Sequence, residues 1–558
     1  MQKTCSQCSA SFEITDGDLA FYEKVSPVIG GKKFLIPPPT LCPDCRQQRR
    51  LGFRNERRLY RRKCDFTGKP IIALFAPDAP YPVYGHASWY SDAWDPLAYG
   101  REFDFNTPFF DQLDALWKRV PQLAIFNTRN ENSEYATYSE QDKNCYLLSA
   151  SNRNEDCYYS SYLWDSISCC DCHNVEKAEL CYEAVDCSGT YNVRYSQNCH
   201  DCRDCSLCYD CRSCHDLYAC SGLRSKQYCI LNEQYSPEEY KKKIKELPTQ
   251  EVYEKFQKLK LRTPRLFANL LHCEDVSGDY LTSCSRADHC FNSFDLQDAK
   301  FVENSPGGSR DVMDISGCTH TQFAYELVSV AYGYEVIWCI TSHIGLKNSL
   351  YCVSCHSGRN LFGCVGMKKG QYCLLNRQYS KEEYEKLVPK VIAHMQSTKE
   401  WGEFFPLCLS PFAYNETVAQ EYFPLSKQEA ASRGSNWRDT VDEMPEVKKT
   451  IPAAKLPDSI ESIPDDILNW AITCETTKRP FRIIKQELEF YRTMQLPIPH
   501  FHPDERHRRR MTLRNPRVLW QRKCHKCRKE IQTTYAPERP EIVYCEACYL
   551  AEVYLEDL

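Results

Sequence analysis

No secretory leader is expected, because MQKTCSQCSASFEITDGD has neither a basic n-region nor an apolar h-region. Long hydrophobic runs are also missing. The longest, Val328 to Ile340, is broken by Glu335 and preceded by Glu326, so no membrane span is expected. There is no His-Glu-x-x-His, no Gly-x-Ser-x-Gly and no glycine-rich phosphate loop, which removes the usual signatures of metal-dependent hydrolysis, serine hydrolysis and nucleotide chemistry. The expectation is a non-enzymatic cytoplasmic protein. A carbohydrate-active enzyme on a β-helix remains as a less favoured alternative, resting on fold analogy alone.

What the sequence has in excess is cysteine, 35 residues in a chain of 558. In a reducing compartment these are read as metal ligands or small core residues rather than disulfides. Eight fall into paired Cys-x-x-Cys knuckles. Cys5, Cys8, Cys42 and Cys45 form one set, and Cys524, Cys527, Cys545 and Cys548 the other. Each set fills a tetrahedral shell and leaves no open position for water, so two structural Zn2+ ions are expected and no catalytic one.

The two ends are copies of one module. A shift of 460 positions lays Arg46, Arg50, Arg54, Asn55, Arg57, Leu59, Arg62 and Cys64 on Arg506, Arg510, Arg514, Asn515, Arg517, Leu519, Arg522 and Cys524. Each end reads as a tandem of two ribbons, one of them degenerate. The N-terminal copy keeps Cys64, Thr67, Gly85 and Ser88 in its second ribbon, and the C-terminal copy keeps Cys474, Thr477, His502 and Glu505 in its first. Cys474, His502 and Glu505 are an alternative three-ligand site.

Charge is uneven. Residues 46–63 carry +8 and 506–529 carry +11, which leaves −24 elsewhere for a net charge of −5. Arginine binds phosphate oxygens two at a time and releases counterions. The candidate nucleic-acid contacts are therefore Arg46, Arg50, Arg54, Arg57, Arg58, Arg61, Arg510, Arg514, Arg517 and Arg522, with RNA or the ribosome as the expected partner. The alternative is a face that is solvated or pairs with the acidic middle.

Between Cys145 and Cys229 the cysteines step in multiples of three, with Cys170 alone out of phase. That step fits neither the helical period nor strand alternation. It fits a β-solenoid whose coils repeat the same inward positions, with Asp156, Asp186, Asn192, Asn198, Asp204, Asp210 and Asp216 at the bends. The pattern is similar to the cysteine-rich coils of insect antifreeze solenoids. It recurs from Cys284 to Cys373, through Cys318, Thr321, Gly333 and Cys339, and both halves end in Ser-x-x-Glu capping boxes at Ser236 and Ser380. Cys199 to Cys214 also match iron–sulfur spacing, a less favoured reading. A second function hypothesis is a protein-interaction scaffold using the solenoid face of Tyr158, Tyr159, Tyr162 and Tyr209.

The expected fold is mainly β: a cysteine-stepped β-solenoid in two halves with capping helices, flanked by zinc-ribbon modules. The expected partition is 1–108, 135–262, 265–398, an irregular linker over 399–464, and 465–558. The segments CPDCRQQRRLGFRNERRLYRRKC, FGCVGMKKGQYCLLNRQYSKEEY, SPFAYNETVAQEYFPL and RNPRVLWQRKCHKC resemble a family of uncharacterised zinc-ribbon proteins from ultrasmall candidate-phylum bacteria. CSQCSASF, FYEK and LCPDCR resemble a probable zinc-ribbon domain. These resemblances imply zinc binding and no activity.

Overall fold

The computed structural model describes residues 1–246, 249–317, 322–331, 336–337, 340–343, 345–439, 447 and 449–553. Cys318, Thr321, Gly333 and Cys339 of the expected solenoid step lie outside them. The chain divides into two compact units, each assembled from two distant stretches. Unit 1 joins Met1–Ile125 to Ala268–Arg438, and unit 2 joins Phe126–Phe267 to Asp439–Leu558. Each unit therefore holds one solenoid half and one terminal module. Among the described residues no helix is long and apolar enough to cross a membrane.

In unit 2 the residue before each corner of the solenoid commonly bridges in parallel to the residue twelve positions on, as in Lys143 with Glu155 and Tyr146 with Tyr158. Almost every third residue takes left-handed φ, for example Asn144 at 54°, Leu147 at 51° and Ala150 at 50°. The chain turns a corner at each of these. A coil thus has four corners, and the residue after each corner points inward. Cys145, Cys157, Cys169 and Cys181 stack in one such inward column and are at most 3% exposed. The expected bends at Asp156, Asp186, Asn192, Asn198, Asp204, Asp210 and Asp216 all have φ between 49° and 56°.

Cysteine suits this interior because it is small and its thiol is a weak donor. Cys157 Sγ donates to the carbonyl of Glu155 at 3.3 Å and to that of Ser166 at 3.5 Å. Left-handed backbone costs a non-glycine residue about 1–2 kcal/mol, and short polar side chains lower that cost by bonding locally. Here the corners also bond between coils. Asn192 Nδ2 donates to Asp204 Oδ1 at 2.6 Å, and Asn174 Nδ2 to Asp186 Oδ1 at 2.6 Å.

Unit 1 carries the second solenoid, with longer strands at Glu274–Thr282, Ser285–Phe294, Leu296–Glu303 and Ser309–Ser316. Its coils are less even, since Gly278 pairs with Cys290 but Ala299 pairs with Val312. At Gly278, φ is 142° and a Cβ would collide with the Cys290 carbonyl, so only glycine fits. Both solenoids end in the expected capped helices. Ser236 and Glu239 exchange capping bonds before helix Pro237–Glu246, and Ser380 and Glu383 do so before Lys381–Ser397. Tyr240 and Tyr384 close the last coils, packed on Tyr228 and Tyr372.

The stretch expected as an irregular linker is largely packed. In unit 1, Trp401, Phe404 and Phe405 are buried, and Tyr414, Val418, Ala419 and Ala430 form a cluster with Leu51. In unit 2, strand Lys449–Pro452 pairs with Trp470–Thr473, and Leu456, Ile460 and Ile463 enter a core with Tyr158, Tyr159 and Tyr182. The Ser, Lys, Glu and Pro content hid these spaced apolar anchors.

Candidate metal centres and their docking helices

The first knuckle of every ribbon makes the same turn. Cys5 N–H donates to Ala10 O at 2.8 Å and Cys524 N–H to Lys529 O at 2.8 Å, with Ser9 and Arg528 at φ 62° and 65°. The degenerate copies keep it. Cys64 N–H donates to Lys69 O at 2.8 Å, and Cys474 N–H to Arg479 O at 3.0 Å. The second knuckle opens a helix each time: Pro43–Leu51, His86–Tyr90, Pro503–Met511 and Glu546–Val553. Helix N-terminal N–H groups favour thiolates placed there.

In the two intact ribbons the four sulfurs converge, all within 4.8 Å of one another. Cys8 and Cys42 Sγ lie 3.6 Å apart, as do Cys527 and Cys545 Sγ. Four thiolates at about 2.3 Å from a tetrahedral ion stand about 3.8 Å apart, so each cage fits a metal ion. In each cage one thiol is poised to lose its proton. Cys42 is drawn down to about 5, first by the thiol of Cys45 donating to it, while Cys45 is pushed up by that same bond. Burial raises Cys524, but the N–H groups of Cys527, Cys545 and Lys526 outweigh it and hold the thiol at about 6.

The degenerate ribbons gather no such set, and among the described residues the two four-cysteine groups are the only clusters of three or more metal-ligating side chains. The alternative site at Cys474, His502 and Glu505 is therefore not assembled. Glu505 is gripped by Arg508 at 2.7 Å and Arg509 at 3.0 Å, and His502 Nδ1 accepts from Asp504 N–H at 3.1 Å. In both copies threonine replaces the second ligand. The Thr67 and Thr477 hydroxyls bond to Cys64 and Cys474, and against the effect of burial both thiols sit at about 7. The cysteines with iron–sulfur spacing are used by the coil instead. Cys199 to Cys214 face the solenoid interior without three sulfurs converging, and their thiols donate to carbonyls, as Cys211 does to Tyr209 at 3.6 Å.

Several of the candidate arginines pair with the acidic middle, as the alternative reading had it. Arg46, Arg50, Arg54, Arg510 and Arg517 are buried, at 2%, 0%, 6%, 1% and 9% exposure. In unit 1, helix Pro43–Leu51 lies on the solenoid, where Arg46 Nε and Arg50 Nη1 share the carboxylate of Asp314 at 2.9 and 3.1 Å. Arg50 also faces Glu303 at 3.5 Å, and Arg54 pairs with Glu56. Unit 2 repeats this with the equivalent residues. Arg506 and Arg510 share Asp171, the latter at 2.6 Å, Arg506 reaches Glu487 at 3.3 Å, and Arg514 pairs with Asp186 at 3.1 Å. Arg522 donates to Ala536 O at 3.2 Å. Arg57 and Arg58 are half-buried, and Arg61 is exposed.

The tyrosine face is covered too. Tyr158, Tyr159, Tyr162 and Tyr209 are all at most 9% exposed. Tyr159 donates to Glu487 at 2.9 Å and lies under the Arg506 guanidinium at 4.6 Å, and Tyr209 OH meets Tyr535 OH at 3.4 Å. Arg510, read as a nucleic-acid contact, and Tyr159, read as part of a partner surface, thus meet inside unit 2, where Arg510 Nη2 donates to Tyr159 O at 3.1 Å. The receivers Asp171 and Asp314, both buried and both at corners with φ 56° and 57°, were not foreseen, because a corner aspartate is explained by its backbone alone.

One register rule connects metal to docking. The residue after the fourth cysteine reaches a solenoid corner aspartate in both intact ribbons, Arg46 to Asp314 and Tyr549 to Asp210. Arg506, which follows the degenerate Glu505, reaches Asp171 in the same way. Set against models of known protein families, the chain matches none, and no curated protein matches it either.

Proposed function

We propose that this protein is a non-enzymatic scaffold in which one zinc ion in each intact ribbon, two per chain, fixes the ribbon so that its docking helix clasps a β-solenoid. The observation that carries this reading is the step from the fourth cysteine to the next residue, which joins a metal-ordered helix start directly to a buried aspartate of the coil. Zinc is the ion assigned because four thiolates with no open position suit a structural zinc site. Buried ion pairs add little net stability over apolar contacts but penalise any misplaced register, so the arginine–aspartate latches serve to select one docking position.

This reading takes the buried arginines and tyrosines away from nucleic acid and protein partners, since Arg46, Arg50, Arg510, Tyr159 and Tyr209 hold the ribbons in place. Metal analysis of the purified full-length chain tests the proposal. Two zinc ions per chain are expected, and chelation should lower the thermal midpoint and raise hydrogen exchange in the ribbons. One ion or none, or unfolding that ignores the chelator, would overturn it.

A further inference from the structure

The basic charge that the docking helices leave unused is concentrated at the first knuckle of the C-terminal ribbon. This turn links strands Trp520–Lys523 and Glu530–Thr533 and is closed by the Cys524 to Lys529 hydrogen bond. Lys523, His525, Lys526, Arg528 and Lys529 are all exposed on it, and no acid occurs between Trp520 and Lys529. Lys526 pairs with Glu552 at 2.5 Å. Lys523, Arg528 and Lys529 form no ion pair with described residues.

The chain contains its own controls. A divalent ion held by four thiolates is net anionic, and basic neighbours can simply balance it. The N-terminal ribbon has the same ligand set, yet its first knuckle carries just Lys3, whose Nζ is tied to the Pro38 and Pro39 carbonyls at 3.2 and 3.3 Å. Balancing the metal therefore does not require a basic turn. The metal-free copy of this turn, 460 positions upstream, has Asp65, Phe66 and Gly68 where the intact one has His525, Lys526 and Arg528. That copy keeps Lys63 and Lys69, and the Cys474 knuckle carries Lys478 and Arg479 beside Glu475, so the turn at 521–529 is the most basic of the four knuckles.

We infer that this turn binds the phosphate backbone of a nucleic acid. Clustered exposed cations on a hairpin closed by the Cys524 to Lys529 hydrogen bond suit phosphates, which reward charge and counterion release. A protein partner would call for apolar or aromatic anchors, and residues 521–530 present no large exposed hydrophobic side chain. The inference goes beyond the scaffold reading and does not depend on it.

The test is fluorescence anisotropy of the full-length protein with short mixed-sequence probes, single-stranded RNA in one arm and duplex DNA in the other, over a salt series. At least one probe should bind with an affinity that falls steeply with salt. R528E combined with K529E should weaken it by about tenfold or more and flatten the salt slope, while K69E, at the matching position of the metal-free turn, should leave it unchanged. The arm that binds more tightly identifies the nucleic acid. Should the double charge reversal lose its metal, R528Q with K529Q replaces it, with a smaller loss expected. Binding of neither probe, equal binding by native and variant proteins, an equal loss in K69E, or binding of polyglutamate but no nucleic acid would each overturn the inference.

Discussion

Asp314 and Asp171 each accept two guanidinium groups in a place that water does not reach. Removing the carboxylate strands both arginines, and breaking a buried pair from one side costs about 3–5 kcal/mol. Asp314→Ala and Asp171→Ala should each lower the urea midpoint accordingly, whereas Asp298→Ala, which removes an exposed pair with Arg286, should cost about 1 kcal/mol or less. Equal effects would mean that the latches are ordinary surface pairs. A second residue-scale prediction concerns Asp142, buried among the first coils of unit 2. Burial raises its carboxyl from the usual 3.8 to about 7, against the opposing hydrogen bonds of Asn154. A folded-state value above the unfolded one means that the contribution of Asp142 is most favourable below about pH 4 and falls as the pH rises towards 7, after which its penalty is constant. Asp142→Asn should be close to neutral near pH 4 and stabilising above pH 7 in urea titrations. Identical pH dependence in the two proteins would contradict this.

At the level of the element, the coil imposes a rule that composition hides. Left-handed corners recur almost every third residue and are occupied by Leu147, Tyr159, Leu180 and Leu207 as well as by Asp and Asn. Ser213 is an exposed corner at φ 52°. Ser213→Val should cost about 1–2 kcal/mol by strain alone, and Ser213→Gly should be near neutral, as read from thermal midpoints. The inward cysteine column was legible because inward positions must be small and periodic, and the knuckles because metal ligation fixes their spacing. The docking surface was not legible. Arg50 on a short helix looks the same in sequence whether it meets phosphate or Asp314, since its partner lies more than 260 positions away. The proposed ordering of the helix start by metal makes a further prediction. Cys45→Ser should release one of two ions and raise hydrogen exchange in strand Ser309–Ser316, which carries Asp314. Loss of the ion with no change in that strand would separate metal from docking.

For the molecule as a whole, each unit closes over a long sequence gap. Unit 2 brings Phe126–Phe267 together with Asp439–Leu558, and unit 1 brings Met1–Ile125 together with Ala268–Arg438. The linear order of ribbon, solenoid, solenoid and ribbon is readable in the sequence, but a linear partition does not say which ribbon covers which coil stack. A polypeptide of residues 126–267 should expose Tyr158, Tyr159 and Asp171, and should co-purify with a separately expressed 439–558. Failure to associate would argue against the unit.

The central claim is that the arginine segments are internal clasps. Phenylglyoxal labelling of the native full-length protein, read by peptide mass spectrometry, tests it most directly. Arg46, Arg50, Arg506 and Arg510 should stay unmodified until the protein is denatured, while the exposed Arg61 and Arg528 react readily. Modification of those four at the same rate as Arg61 would contradict the account.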